Sequence, residues 1–166
     1  MAALVLVLVA LAAPGAGAQT TTTPAESAGP EASAPRIESA LLTEMNRARA
    51  QRGRAPLRSI ATLQRPARAQ SRYLESTGIL DHDGSDGSPF WARLLAAGFP
   101  RGRTLGENLA LVPGCNADAA HRTVQLWLDS PGHRANLLNP RFHWVGAGAA
   151  SAEDCSATVL TADYGS

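Results

Sequence analysis

The spacing of apolar residues changes along this chain, and that change restricts its fold more than any other feature. Ile37, Leu41 and Met45 recur at steps of four, so they lie on one stripe of a predicted helix. Similar stripes, capping residues and glycine stops predict further helices. The predicted helices span residues 36–52, 63–77, 88–98 and 117–129, with a short segment restarting at Ser130-Pro131.

The end of the chain has a different pattern. Residues 142–149 alternate large and small side chains, and 157–164 is rich in β-favouring types, so both predict strands joined by a turn at Glu153-Asp154. Residues 106–111 predict a third strand. Helices early and strands late indicate an α+β fold, in which helices cover an antiparallel sheet.

The N-terminus predicts export. An apolar run from Met1 to Ala13 precedes Ala16-Gly17-Ala18, which has the form of a cleavage site before Gln19. The run is shorter than the roughly 20 apolar residues that span a bilayer. We therefore expect a signal peptide at 1–18 and a protein that is secreted or held in the cell envelope; a retained membrane anchor is the alternative.

The remaining chain predicts a linker and one domain. Residues 19–35 are rich in Thr, Ala, Ser and Pro, a composition that favours a flexible linker. Residues 36–166 are enough for one domain with its own core and too few for two. We expect this domain to act as a monomer without a transmembrane anchor once the signal is removed.

Charge and cysteine content narrow the partners further. All 15 basic residues are arginine, and 14 acidic residues nearly balance them, so the net charge of +1 favours no nucleic-acid partner. The two cysteines, Cys115 and Cys155, predict a disulfide in an exported protein. Such a bridge closes a loop of about 40 residues and is worth roughly 3 to 4 kcal/mol on the chain-entropy account.

Two polar positions are candidates for chemistry. His82 lies between Asp81 and Asp83 in a glycine-rich loop, where carboxylates could orient its ring and favour its charged form. An ordinary loop histidine is the alternative. Glu107, in Gly106-Glu107-Asn108, could serve as metal ligand, general base or acceptor for buried backbone N–H groups.

The pentapeptide 130–134 contains a third candidate, His133. Ser130 lies three residues before it, but Ser130-Pro131 has the form of a helix N-cap, and the sequence lacks the G-x-S-x-G pattern that exposes a serine nucleophile. Arg134 could pair with a carboxylate of the chain or of a ligand. His121 and His143 have no acidic neighbours in sequence, so we assign them no role.

Together these segments form an ordered set of motifs. They are Asn46-Arg47-Ala48-Arg49 with Gly53 and Pro56-Leu57, the His82 loop, Arg93-Leu94, Ala97-Gly98, Gly106-Glu107-Asn108-Leu109, Trp127, Ser130-Pro131-Gly132-His133-Arg134, Asn136 to Leu138 with Pro140, and Val145-Gly146-Ala147-Gly148. Over 36–164 the set resembles the bacterial branch of the CAP superfamily of cysteine-rich secretory, antigen 5 and pathogenesis-related proteins.

The resemblance implies a three-layer α-β-α sandwich with a central antiparallel sheet. It also implies a surface cleft where His82, Glu107 and His133 converge. Animal and plant relatives carry a second glutamate three residues after the tryptophan of the fourth helix, where this chain has Ser130 beside Asp129.

Two imidazoles near a carboxylate could hold zinc or another divalent cation. Our leading hypothesis is a secreted binding module, more a binder than an enzyme, with a metal in the cleft and a lipid, glycan or protein ligand. One alternative is a metal-dependent hydrolase of peptides or cell-envelope material, with His82 and His133 as ligands and Glu107 as base. The other is a sterol- or fatty-acid-binding protein, which the resemblance suggests.

Overall fold

The computed structural model describes residues 30–166, with side chains from residue 33. The predicted signal peptide and residues 19–29 of the linker lie outside this range. The elements are α1 (Pro30–Ala50), β1 (Arg58–Ser59), α2 (Ala61–Thr77), α3 (Phe90–Ala96), β2 (Leu105–Pro113), α4 (Asp118–Asp129), α5 (Pro131–Leu137), β3 (Trp144–Ser151) and β4 (Ala157–Gly165).

Helix α1 begins earlier than the sequence predicts. Residues 30–35, which their composition assigns to the linker, are helical. Pro30 suits a first helical position because its missing N–H is not needed there. Ala34 packs against the main core, so burial stabilises a segment whose composition favours a linker.

The sheet has the order β1-β3-β4-β2. Strand β4 pairs antiparallel with both β2 and β3, as predicted. Strand β1 adds a two-residue parallel pairing with β3, through Arg58 and Ser59. Two residues are too few to show a period, so the sequence pattern does not predict this edge.

The helices cover both faces of the sheet. Helix α2 packs on β3 and β4 from one side, with α3 beside it, whereas α1, α4 and α5 lie on the other side. The larger core is on the α1–α4 side, where Trp127, Phe142 and Tyr164 are almost wholly buried. The three-layer α-β-α sandwich is therefore confirmed.

Two glycines allow α2 to lie against the sheet. A Cβ at Gly146 would overlap the backbone of Leu63, and one at Gly148 would overlap the backbone of Ala67. Helix α2 also ties itself to this strand through Gln64, whose side chain bonds to both the N–H and the carbonyl of Ala147. The alternation of 142–149 thus reflects a strand whose glycines face a helix backbone.

The outer edge of β2 is capped by side chains from the helices. The indole Nε1 of Trp127 donates to Leu109 O at 2.9 Å, and Asn136 Nδ2 donates to Glu107 O at 3.1 Å. Arg122 donates to Pro113 O. Because unpaired strand edges invite pairing with other chains, these contacts protect the edge and fix α4 and α5 against it.

Cys115 and Cys155 form the predicted disulfide. It joins the loop after β2 to the turn between β3 and β4. No helix within residues 30–166 is long and apolar enough to cross a membrane.

Candidate functional site

Glu107 is the buried centre of the candidate site. Its side chain is 0% exposed, and both carboxylate oxygens bind a basic group. His82 Nδ1 lies 2.8 Å from Oε1, and Arg93 donates to Oε2 at 2.5 Å. His82 is 53% exposed and Arg93 only 13%, so the histidine faces solvent above a carboxylate that the arginine anchors from inside.

Two helices hold the loop that contains His82. From α3, Arg93 donates to His82 O at 2.6 Å as well as to Glu107. From α2, Gln70 Nε2 donates to the carbonyls of Asp81 and Asp83 at 2.9 and 3.1 Å. These contacts hold the backbone of residues 81–83 from α2 and from α3. The position of the His82 ring is therefore set by the two helices as well as by the loop.

The backbone of His133, on α5, is bound to the strand that carries Glu107. Asn108 on β2 donates to His133 O at 2.9 Å, and Asn136 on α5 donates to the side-chain oxygen of Asn108 at 3.0 Å. Since Asn136 also donates to Glu107 O, the two asparagines connect α5 to the strand that carries Glu107. Asn108 thus binds both the backbone and a side chain of α5.

The two histidines differ electrostatically. The hydrogen bond to Glu107 raises the pKa of His82, with burial opposing it and the Glu107 charge adding to it. Burial lowers the pKa of His133, and the nearby charge of His82 lowers it further. The pKa of His82 is therefore shifted towards the cationic form of the ring, and the pKa of His133 towards the neutral form.

A second buried carboxyl group lies beside Glu107. Asp163 on β4 is the cross-strand partner of Glu107 on β2 and is 0% exposed. Burial and the charge of Glu107 raise the pKa of Asp163 well above its ordinary value, against the lowering effect of Arg93.

Other residues predicted near the site have different contacts. Among residues 33–166, no hydrogen bond or ion pair joins the side chains of Asp129 or Ser130 to His82, Glu107 or His133. Ser130 occupies the N-cap position of α5, with Pro131 after it, but its side chain forms no capping bond. Arg134 donates to Leu128 O at 3.2 Å at the end of α4 rather than pairing with a carboxylate.

The predicted metal ligands form an incomplete set. Within the described part of the chain, no group of three or more His, Cys, Asp or Glu side chains is arranged to hold a metal ion. Glu107 is committed to His82 and Arg93, which leaves the two imidazoles as donors. His121, remote from this site, has an acidic neighbour that the sequence does not reveal, because its Nδ1 lies 3.1 Å from Glu44.

Comparison with known proteins agrees with this architecture. The sequence matches the cysteine-rich secretory protein family, CAP, over residues 42–164. The chain belongs to the CAP family. Every residue of the histidine site, including Arg93 and Asp163, lies within the matched range of the CAP domain.

One bacterial protein is similar in sequence along most of this chain. The chain is 33% identical over 129 residues to the uncharacterized protein YkwD of Bacillus subtilis (strain 168), covering 75% of this chain and 48% of the relative. This chain thus spans about half the length of that protein.

Two solved structures show the same fold. The domain superposes on an extracellular protein containing a SCP domain from Bacillus anthracis str. Ames with a TM-score of 0.67 at 22% identity, covering 81% of this chain and 41% of that one. For an outer surface protein from Borrelia burgdorferi the TM-score is 0.64 at 19% identity, covering 78% of this chain and 92% of that one.

Sequence reasoning misses the roles of two members of the site. Arg93 enters only as a motif residue, although a buried glutamate needs a basic partner and α3 precedes β2. Asp163 is hidden inside a strand-like run, although alternation places it on the same face as Val159 and Thr161, towards α2. In both cases the signal is a charged residue in a segment that packing must bury.

Proposed function

We propose that this chain is an exported CAP binding module that holds a divalent transition-metal ion through His82 and His133. The observation that carries the proposal is the contact between His82 Nδ1 and Glu107 Oε1. Metal-binding histidines commonly use one ring nitrogen for the metal and hydrogen-bond the other to a carboxylate or carbonyl, which fixes the ring orientation. The contact leaves Nε2 of His82 for a ligand, and the second imidazole is that of His133, whose pKa is lowered by burial and by the charge of His82.

The arrangement favours binding over hydrolysis. Catalytic zinc sites usually have three protein ligands and an accessible base. Here two imidazoles are available, and the carboxylate that would act as base is wholly buried and paired with Arg93. A metal bound to the two rings would polarise coordinated water or a ligand group, while Glu107 holds the Nδ1 proton of His82 rather than moving it.

Export is part of the proposal. The disulfide between Cys115 and Cys155 suits an oxidising compartment, since such bonds are rare where thiols are kept reduced. The apolar segment at 1–13 supplies the matching signal.

Zinc titration of the purified domain tests the metal site. We expect zinc to raise the thermal midpoint of the wild type and to bind with one-to-one stoichiometry in calorimetry, because a ligand that binds only the native state stabilises it. His82→Ala and His133→Ala should each weaken binding at least tenfold, since either change leaves one imidazole.

His143→Ala is the matched control. His143 is exposed and lies outside the site, so zinc affinity should be that of the wild type. Equal zinc binding by all four proteins, or no effect of saturating zinc on any of them, would remove the metal from the proposal. Peptide-bond or glycan hydrolysis that Glu107→Gln abolishes at unchanged fold would favour the hydrolase instead.

A further inference from the structure

Asp163 and Glu107 place two carboxyl groups side by side under the histidine site. They face each other across neighbouring antiparallel strands, and both point to the side of the sheet that α2 and α3 cover. Neither side chain reaches solvent. Two adjacent carboxylates without water repel each other strongly, so such pairs usually keep a proton.

Glu107 takes the available basic partners. His82 binds one of its oxygens and Arg93 the other. Neither oxygen of Asp163 accepts a hydrogen bond from any donor group in the described chain. A buried carboxylate without a donor would be very unfavourable, whereas a protonated carboxyl needs only an acceptor, and Glu107 has unused lone pairs.

We propose that Asp163 is a positioning residue of the histidine site, which stays protonated at neutral pH and donates a hydrogen bond to the Glu107 carboxylate. Glu107 is then held from three directions, by Arg93, His82 and Asp163. The buried cluster of Glu107, Asp163 and Arg93 then carries one negative charge, on Glu107, and one permanent positive charge, on Arg93. Because these charges balance, Glu107 remains an ionised acceptor that orients the His82 ring. For its effect on ligand binding, this inference rests on the proposed function.

The surroundings of Asp163 support the assignment. The charged groups that act on it are Glu107 from β2 and Arg93 from α3, with His82 reached through Glu107. On β3 its cross-strand partner is Gly146, which brings no side chain. From α2, Ser71 bonds to Thr161 and not to Asp163. The direction of the Asp163 pKa agrees with a retained proton.

Infrared spectroscopy of the metal-free protein near neutral pH tests the proton directly. A protonated carboxyl has a carbonyl stretch that ionised carboxylates lack. We expect one such band in the wild type, its loss in Asp163→Asn, and its retention in the control Asp154→Asn. Asp154 is an exposed turn residue whose Oδ1 accepts a hydrogen bond from Ser156 N. The side-chain oxygen of an asparagine at this position can accept the same bond.

The titration of His82, followed by NMR, separates a proton-sharing role from simple packing. Asp163→Asn replaces a neutral donor with another neutral donor, so the titration midpoint of His82 should stay within about 0.3 unit of the wild type, a shift much smaller than a neighbouring charge produces. Asp163→Ala removes the donor and should broaden or shift that titration. Zinc affinity should fall several-fold in Asp163→Ala and return in Asp163→Asn.

Two results would overturn the inference. One is the absence of the carbonyl band from the wild type; the other is a clear fall of the His82 midpoint in Asp163→Asn, which would mean that a negative charge had been removed. If Asp163→Ala does not fold, the carbonyl band of the wild type and the His82 titration in Asp163→Asn still test the inference. Both readouts need no metal, so a failure to bind zinc would reject the proposed function and leave this inference standing.

Discussion

Arg93 links the parts of the site more than any other residue. It neutralises Glu107 and also holds the backbone of His82, so one side chain joins α3, β2 and the histidine loop. Removing one partner of a buried ion pair costs more than the pair itself contributes, because a charge is left without compensation.

Replacing Arg93 with alanine should therefore be strongly destabilising. We expect a loss of about 3 to 5 kcal/mol in the free energy of unfolding, measured by urea denaturation. Arg103→Ala, at an exposed position, is the control and should lie within about 0.5 kcal/mol of the wild type. An equally small change in the free energy of unfolding for Arg93→Ala would show that the buried Glu107 carboxylate does not need Arg93 as its partner.

The histidine at the surface of the site should make stability depend on pH. Because Glu107 raises the pKa of His82 in the folded state, its contribution is fully present below the unfolded value of about 6.5 and is lost as pH rises through the raised pKa. The stability difference between wild type and His82→Gln should thus be largest in mild acid and shrink towards alkaline pH. Urea melts across this range measure it.

His143→Gln provides the comparison for that experiment. It removes an exposed histidine that lies outside the site and, in the described part of the chain, has no ion pair with a carboxylate. A His82→Gln difference that grows with pH would contradict the sign given above.

Among the helices and strands, the close approach of α2 to β3 sets the position of the layer formed by α2 and α3 on the sheet. The approach places Gln70 above the histidine loop and Gln64 along the open part of the β3 edge. It depends on positions 146 and 148 having no side chain. The motif Val145-Gly146-Ala147-Gly148 is therefore a packing requirement, with Val145 and Ala147 in the main core on the opposite face.

Gly146→Ala should disturb this layer. Its Cβ would overlap the backbone of Leu63, which has no rotamer to change, so we expect a cost of at least about 1 to 3 kcal/mol and weaker hydrogen-exchange protection in α2. Gly132→Ala in α5 meets nothing within 4 Å and should be neutral or up to about 1 kcal/mol stabilising. Equal effects of the two changes would contradict close packing at 146.

For the domain as a whole, the disulfide closes the end of the sheet remote from the histidine site. Cys115 and Cys155 are 40 residues apart in sequence. Replacing both with serine should lower the free energy of unfolding by about 3 to 4 kcal/mol, chiefly by freeing the unfolded chain. Comparison with the chemically reduced wild type controls for the substitutions, and zinc affinity should change little. A large loss of zinc binding in the folded variant would mean that the two ends are coupled.

Much of this architecture follows from local patterns. Helical periodicity shows where in the chain the main helices lie, and alternation or β-favouring residues show where β3 and β4 lie, because each pattern reflects which residues are buried. Such patterns do not predict the start of α1 or the two-residue β1. The start of α1 is stabilised by the packing of Ala34 on the core, and β1 is stabilised by its pairing with β3. Neither kind of contact produces a periodic pattern in the local sequence.

The family, the order of the helices and the three long strands, the cysteine pair and the candidate residues His82, Glu107 and His133 can all be read from the amino-acid order, because each depends on short segments. Three facts about the site required the folded chain: Glu107 is sealed beneath His82, Arg93 is its partner, and Asp163 lies across the strand from it. The charge state of a carboxyl depends on burial and on neighbours that are distant in sequence, and folding alone brings those neighbours together.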